Sequence, residues 1–433
     1  MIGAILLLSY RPKEGSPLQS TYSHAPLASS SGARLRHRVE KRLRTLHAAG
    51  LARTITDLDM IGPVTARSRS GQIYTVFSSN NYLGLTHHPK VLQAAADALI
   101  KGGTSSTGSR LISGGIARGS DLEKKLARFK GCEAALLFNT GYLANLGALY
   151  TLLKKGDLVF SDELNHASII DGCRISGAEV IVYRHNDMTD LEQKLATYAS
   201  NQTAVKLIVT DGVFSMDGDL CRLPELAALK NRYGTLLMVD DAHAEGVIGP
   251  GGRGTEAYFG LQGTIDIQTG TLSKSLASEG GYVASSKEII AYLTCRARPF
   301  VFSTFISPHD TAAAYAALQV LQEEGPILMK TLREHTRFMR EGLHTLKLPV
   351  LPGITPLIPI IVGSVERAAA IDAFLKERGI LLSDRRLFPW VPPGCVSRFQ
   401  QPTQSLSFSR FFPFSKKLGS KFHKQGSAKK DLF

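Results

Sequence analysis

From about residue 72 onward, short apolar runs alternate with stretches of helical period, which points to a mostly parallel sheet wrapped by helices. Strands are expected at 134–138, 158–160, 180–183, 205–210, 236–239, 265–268 and 281–284, with helical stretches such as 142–153, 190–199 and 223–233 between them. These strands form one large domain. Residues 309–345 are helix-rich, and the apolar run 357–362 ahead of a helix at 365–379 marks a smaller C-terminal α/β domain. Upstream, Leu35, Val39, Leu43 and Leu46 stand three or four apart, so 34–51 reads as an amphipathic helix. The expected layout is an N-terminal arm and helix over 1–75, a large domain over 76–308, a small domain over 309–397 and an irregular basic tail over 398–433.

Such a fold needs a large core, and 433 residues at 43% hydrophobic supply one. The net charge of +14 sits almost entirely at the ends. Residues 1–53 and 398–433 carry +7 each, which leaves a neutral body and gives no reason to expect a nucleic-acid partner. Arg- and Ser-rich residues 11–53 are consistent either with an organelle transit segment or with an over-long gene start. Cys132, Cys173, Cys221, Cys295 and Cys395 are scattered and odd in number, as expected of a reducing compartment, so a cytoplasmic location is expected. No apolar run approaches the roughly 18 residues of a membrane span, and no membrane partner is expected.

The most informative segment for chemistry is Asp266-Ile-Gln-Thr-Gly-Thr-Leu-Ser-Lys-Ser275. Lys274 follows a strand, has no carboxylate neighbour in sequence, and lies beside Thr271 and Ser273, which are neutral donors for a phosphate. An amine in that setting suits a Schiff base, for which it must lose its proton; the plain alternative is a loop lysine. About thirty residues earlier, Leu236-Leu-Met-Val-Asp-Asp-Ala-His243 is an apolar strand ending in carboxylates. Ligands of open α/β sheets bind beyond the carboxyl ends of strands, which puts Asp240 and His243 at the mouth of a site. A carboxylate there holds the ring nitrogen of pyridoxal phosphate protonated; a turn or a metal ligand is the other reading. With no second cluster at metal-ligand spacing, no metal is expected. Phe138-Asn-Thr-Gly-Tyr142 is a strand-to-helix turn whose backbone N–H groups can meet an anion, and His166 follows another strand, placed to stack on a ring. Together the four segments offer one cofactor an anchor, a ring-nitrogen partner, a phosphate cradle and a ring face.

Residues from about Leu51 to Pro393 resemble the α-oxoamine synthases, which join an amino acid to an acyl-CoA with loss of CO2. The resemblance rests on Ser78-Ser-Asn-Asn-Tyr-Leu-Gly-Leu85, Ser106-Thr-Gly-Ser-Arg-Leu-Ile-Ser-Gly114, Asp211-Gly-Val-Phe-Ser-Met-Asp-Gly218, Val239-Asp-Asp-Ala-His243, Gly252-Arg-Gly-Thr255 and Gly270-Thr-Leu-Ser-Lys274. It implies the type I fold of transferases dependent on pyridoxal phosphate (PLP), an aspartate-aminotransferase-like α/β architecture with a large, mostly parallel seven-stranded sheet and a smaller C-terminal α/β domain. Carried over by motif, Lys274 anchors the cofactor and moves protons, Asp240 pairs with the ring nitrogen, His166 stacks on the ring, and Ser215 and His243 bond its phenolic oxygen. Thr140, Gly141, Tyr142 and Thr271 hold the phosphate. Ser303 and Thr304 match a hydroxyl that reaches the phosphate from the other subunit, so the resemblance implies a homodimer with shared sites. Asn80 and Arg386 match carboxylate-binding groups, and Arg53 matches an N-terminal arginine near the substrate.

Within the family two substrate pairs compete. His185-Asn-Asp-Met188 and Ser278-Glu-Gly-Gly281 favour alanine with a pimeloyl thioester on an acyl carrier or CoA, as in biotin synthesis; Asp211, 263–268 and 296–302 suit glycine with acetyl-CoA. The first is preferred. A transaminase of the same fold is the nearest enzymatic rival, and a weak or inactive scaffold subunit is the rival of another class, although such subunits typically lack the lysine. The chain departs from the family in two places: residues 383–391 run one residue longer, leaving Arg385 or Arg386 as the carboxylate binder, and 398–433 resemble neither the strand nor the helix that closes the small domain, as a shifted reading frame would produce.

Overall fold

A computed structural model describes residues 30–49, 52 and 55–382 of the chain. A first unit ends at Ile55 and contains the helix Ser30–Ala48, which begins four residues ahead of the expected start. Leu35, Val39 and Leu43 form an exposed stripe along it.

The second unit starts at Thr56 and holds two sheets. Strands β1 (Leu58–Met60), β2 (Thr65–Ser68) and β3 (Ile73–Val76) form an antiparallel meander within the segment expected to be an arm. They are short and largely polar or exposed, so they lack the apolar runs that betray a buried strand. The large sheet comprises β4 (Ala134–Phe138), β5 (Leu158–Asp162), β6 (Glu179–Tyr183), β7 (Lys206–Asp211), β8 (Leu236–Asp240), β9 (Ile267–Thr271) and β10 (Gly281–Ser285). Their order is β4-β10-β9-β8-β7-β5-β6, parallel throughout except for β10, which runs antiparallel to both neighbours. β11 (Ile380–Leu381) pairs in parallel with β3 and completes the four-stranded sheet.

Six of the seven expected strands lie where the apolar runs place them. The exception is β9, expected at 265–268 and found two residues later, because its inner positions Gln268, Thr269 and Thr271 are polar yet buried and hydrogen-bonded. Period-two alternation sends Val159, Leu207, Val209, Met238 and Ile267 to one face and Leu158, Phe160, Ile208, Leu237 and Val239 to the other, each packed into its own core. Residues beyond the large sheet form the helix Pro308–Thr345, a lone bridge between Val350 and Ile360 where an apolar run was expected, and the helix Val365–Lys376.

Register positions the site. Phe138 pairs with Gly281, Gly281 with Thr271, and Asp211 with Asp240, so the ends of β4, β7, β8 and β9 share one edge of the sheet. Parallel strands with right-handed crossovers deliver their carboxyl ends to that edge.

Candidate active site

Lys274 lies just beyond β9, its Nζ 2.8 Å from His243 Nε2. His243 sits in the turn after β8, and its Nδ1 is 2.7 Å from the Tyr82 hydroxyl, which also reaches Asn80 Oδ1 at 3.3 Å. The lysine opens onto a cleft of about 380 Å³ lined by Ser79, Asn80, Ser273 and Ser278, among others. A larger groove of about 1030 Å³ runs between the helices Pro89–Gly102 and Pro308–Thr345, but it holds none of the expected catalytic groups.

Asp240 ends β8, buried, and accepts a hydrogen bond from Asn145 Nδ2 at 2.6 Å. Asn145 also donates to Ser168 Oγ (2.9 Å), and its Oδ1 accepts from the Thr269 hydroxyl (2.7 Å), which leaves it no freedom to rotate. Sequence reading missed Asn145, although a lone amide in the otherwise apolar helix Gly141–Leu152 was a signal for it. Replacing Asn145 by Ala removes a bond to a charged group, worth about 1.5–3 kcal/mol, and is expected to weaken cofactor binding at least about tenfold. Titration of the apoprotein with cofactor measures this directly.

His166 caps the helix Ala167–Ser176, its Nδ1 accepting from Ser168 N at 3.3 Å and lying 2.7 Å from Ser168 Oγ. Loss of solvent around the ring lowers its pKa, with Asp240 opposing and Lys274 reinforcing the shift, so the ring is neutral and apolar enough to cover another ring. Its main-chain N–H donates to Asp211 Oδ2 at 2.8 Å. Burial and the nearby Asp240 push the Asp211 carboxyl well above the usual range.

The cradle is built of glycine. A Cβ on Gly281 would lie 2.4 Å from the Gly141 nitrogen, an approach only glycine permits, and one on Gly141 would lie 3.0 Å from Thr271 Cβ, a tight contact. Thr140 caps the helix Gly141–Leu152 by accepting from Leu143 N (3.1 Å), and Thr271 Oγ1 donates to Gly280 O (3.0 Å) and lies 2.7 Å from Ser273 Oγ. The Tyr142 hydroxyl bonds Asp171, which raises its pKa to about 12, so this residue offers an anion its main-chain N–H. Ser303 and Thr304 lie beside the same turn, where Thr304 O accepts from Asn139 Nδ2 at 2.7 Å. Ser215 rides on a hairpin bridged at Val213 and Leu220. Arg53, Arg385 and Arg386 lie outside the described residues.

Adjacent Asp240 and Asp241 have separate fates. Asp241 faces away from the site and is paired with Lys130 Nζ at 2.6 Å, both side chains being fully buried. The same lysine bonds Arg253 O, and Thr255 donates to Asp241 through its main chain and hydroxyl. Close by, Glu245 is bonded to the Tyr282 hydroxyl, and burial raises its pKa to about 7 against the pull of Lys130. A carboxyl whose folded pKa exceeds its unfolded value loses stabilisation as pH rises from about 4.5 to about 7. Glu245→Gln is therefore expected to gain on the parent chain by about 1–3 kcal/mol between pH 5 and pH 8, visible in thermal unfolding across that range. A gap that does not change with pH would refute this assignment.

Residues 72–398 match the model for the family "Aminotransferase class I and II". A protein named 8-amino-7-oxononanoate synthase from Thermoanaerobacter pseudethanolicus is 43% identical over 82% of this chain and 89% of its own length. Another of that name from Geobacter sulfurreducens is 47% identical over 75% and 82%. Among solved structures, serine palmitoyltransferase from S. paucimobilis, with a bound PLP–myriocin aldimine, superposes with a TM-score of 0.74 at 31% identity, covering 81% of this chain and 91% of its own. The 8-amino-7-oxononanoate synthase of Francisella tularensis gives a TM-score of 0.61 at 27% identity, covering 72% and 88%. The chain belongs to the class I and II aminotransferase family, in its PLP-dependent α-oxoamine synthase branch. It is an acyltransferase, and PLP is its cofactor. The residues present fit that cofactor: a lysine amine at the cleft, a buried carboxylate aimed by an amide, a neutral imidazole, and a turn at Gly141 packed so closely on Gly281 that a Cβ on Gly281 would strike its backbone.

Proposed function

We propose that this chain condenses L-alanine with a pimeloyl thioester, releasing CO2 and the free thiol and forming 8-amino-7-oxononanoate, a step of biotin synthesis. The observation that carries this reading is the 43–47% identity, over most of the chain, to relatives bearing that enzyme's name, with Lys274, Asp240, His166 and His243 gathered at one sheet edge. When bound, the cofactor supplies an electron sink that acidifies the Cα–H of an attached amino acid. Lys274 is the covalent anchor and, once displaced, the base that holds the Cα proton. His243, 2.8 Å away, takes up or returns a proton at Nζ, with the Tyr82 hydroxyl completing the chain at Nδ1. Asp240, oriented by Asn145, keeps the ring nitrogen protonated, and His166 covers the ring face. Thr140, Gly141, Tyr142 and Thr271 bind the phosphate; Ser215 and His243 face the phenolic oxygen; Asn80, Arg386 and Arg53 bind substrate.

The active protein is a cytoplasmic homodimer in this reading. Support for the dimer comes from the exposed Phe302, next to Ser303 and Thr304, and from the exposed Ile112, three residues after Ser109, whose hydroxyl donates to Val301 O at 2.8 Å. The cofactor-binding domain spans 76–308, with the small domain following over 309–397. Thiol release from pimeloyl-CoA with alanine, set against acetyl-CoA with glycine, tests the proposal. Turnover confined to the second pair would replace it with glycine C-acetyltransferase activity, and no thiol from either would remove acyl transfer to these two substrates.

A further inference from the structure

The pair His185-Asn186 takes no part in the reaction above, yet it is the junction between β5 and the hairpin that carries Ser215. His185 Nδ1 lies 2.9 Å from Asp162 Oδ1, at the end of β5, and Nε2 lies 2.9 Å from Asp219 Oδ2, on the returning arm of the hairpin. Asn186, in the left-handed region at φ 52°, donates through Nδ2 to Asp219 Oδ2 (2.8 Å) and Leu220 O (3.0 Å), and its main-chain N–H donates to Asp162 Oδ2 (2.9 Å). The His185 ring stands edge-on to Phe214, on the outgoing arm, with centroids 4.4 Å apart at 83°. Phe214 N donates to Asp219 O (3.0 Å) and Gly218 N to Phe214 O (2.8 Å), which closes the hairpin around Ser215. Asp162 and Asp219 repel one another unless a cation lies between them. The ring supplies it: burial lowers the His185 pKa, but the bonds to Asp162 and Asp219 outweigh this and raise it to about 10. His185, Asp217 and Asp219 also gather closely enough to share a metal ion, but an imidazolium with both nitrogens engaged by carboxylates has no lone pair to give.

We propose that His185 is a positioning residue that fastens the 213–220 hairpin to the end of β5 and so aims the Ser215 hydroxyl at the phenolic oxygen of the cofactor ring. The proposal rests on the reading of Ser215 given above. Its geometric basis is that one ring touches both arms of the hairpin and a carboxylate of the sheet edge, whereas an Asn or Gln amide at 185 takes the place of one ring nitrogen and keeps one of the two carboxylate bonds.

The test uses the holoprotein and follows the pH midpoint of the cofactor's visible band. A donor to the ring oxygen draws off electron density that otherwise helps hold the proton on the Lys274 nitrogen, so losing Ser215 as donor raises that midpoint. Ser215→Ala is expected to raise it by about one pH unit. In His185→Asn the amide nitrogen stands where Nδ1 was, which keeps the Asp162 bond and loses the Asp219 bond; the midpoint is expected to rise similarly. In His185→Gln the amide stands where Nε2 was, which keeps the Asp219 bond but loses the Asp162 bond; the midpoint is expected to rise here too, since either break unties the hairpin from β5. The double variant His185→Asn/Ser215→Ala is expected to match Ser215→Ala alone. Asp219→Ala cuts the same link from the hairpin side and replaces His185→Asn if that variant fails to fold, as judged by circular dichroism. An unmoved midpoint in Ser215→Ala would overturn the reading of Ser215 and with it this proposal. A shift in Ser215→Ala with none in His185→Asn, or additive shifts in the double variant, would overturn the proposal and leave that reading intact.

Discussion

Lys274→Ala is expected to lose the cofactor's visible band and to lower thiol release by about 10⁴-fold or more, because in the proposed mechanism one amine is both covalent anchor and proton carrier. Lys274→Arg is expected to fare no better. A guanidinium does not lose its proton, so neither bond formation nor proton transfer is restored. Borohydride treatment of the holoprotein followed by peptide mapping should mark position 274 and no other lysine. A retained band in the alanine variant, or a label elsewhere, would remove Lys274 from the centre of the mechanism.

The second large effect is on stability. Lys130→Met leaves Asp241 buried with its cation gone, and removing one partner of a fully buried ion pair costs about 3–5 kcal/mol. Burial by itself lowers the Lys130 pKa, but the charges of Asp241 and Glu245 outweigh it and raise it, so the ammonium form is the one the fold requires. The Lys130→Met/Asp241→Asn pair is expected to recover most of the loss, since no uncompensated charge then remains. Urea unfolding of the three chains checks both statements; a single-variant loss below about 1 kcal/mol would mean that water reaches Asp241. Asp241 immediately follows Asp240, so this loss reaches the site through the turn that carries His243.

Much of this architecture was legible in the sequence. Strands buried on both faces announce themselves as continuous apolar runs, which is why six of seven were found, and the polar β9 was displaced for the same reason. The edge meander of β1 to β3 has no such runs and was not seen. Lys274, Asp240 and His166 stood out because each ends or follows a strand beside small or acidic residues. Lys130, Tyr82 and His185 did not stand out as functional residues, because their partners are 111, 161 and 34 residues away, and no local pattern encodes such contacts; for Asn145 the lone amide in an apolar helix signals a buried polar group but not its partner 95 residues away. Lys130 illustrates the problem. A lysine in the last turn of the amphipathic helix Ala117–Lys130 reads as a solvated helix end, and only Asp241 across the fold makes it a core residue.

The residue types at the strand ends, and hence the chemistry on offer, belong to the sequence: one amine among hydroxyls, a strand that ends in two successive aspartates, one glycine turn. Tertiary structure decided which of two adjacent aspartates is bound up in a buried ion pair and which is left for the candidate site. Consecutive residues at a strand end point to opposite sides, so Asp240 meets Asn145 while Asp241 meets Lys130. Strand order and register, which depend on contacts between distant segments, brought the glycine turn, the acidic end and the lysine to one edge.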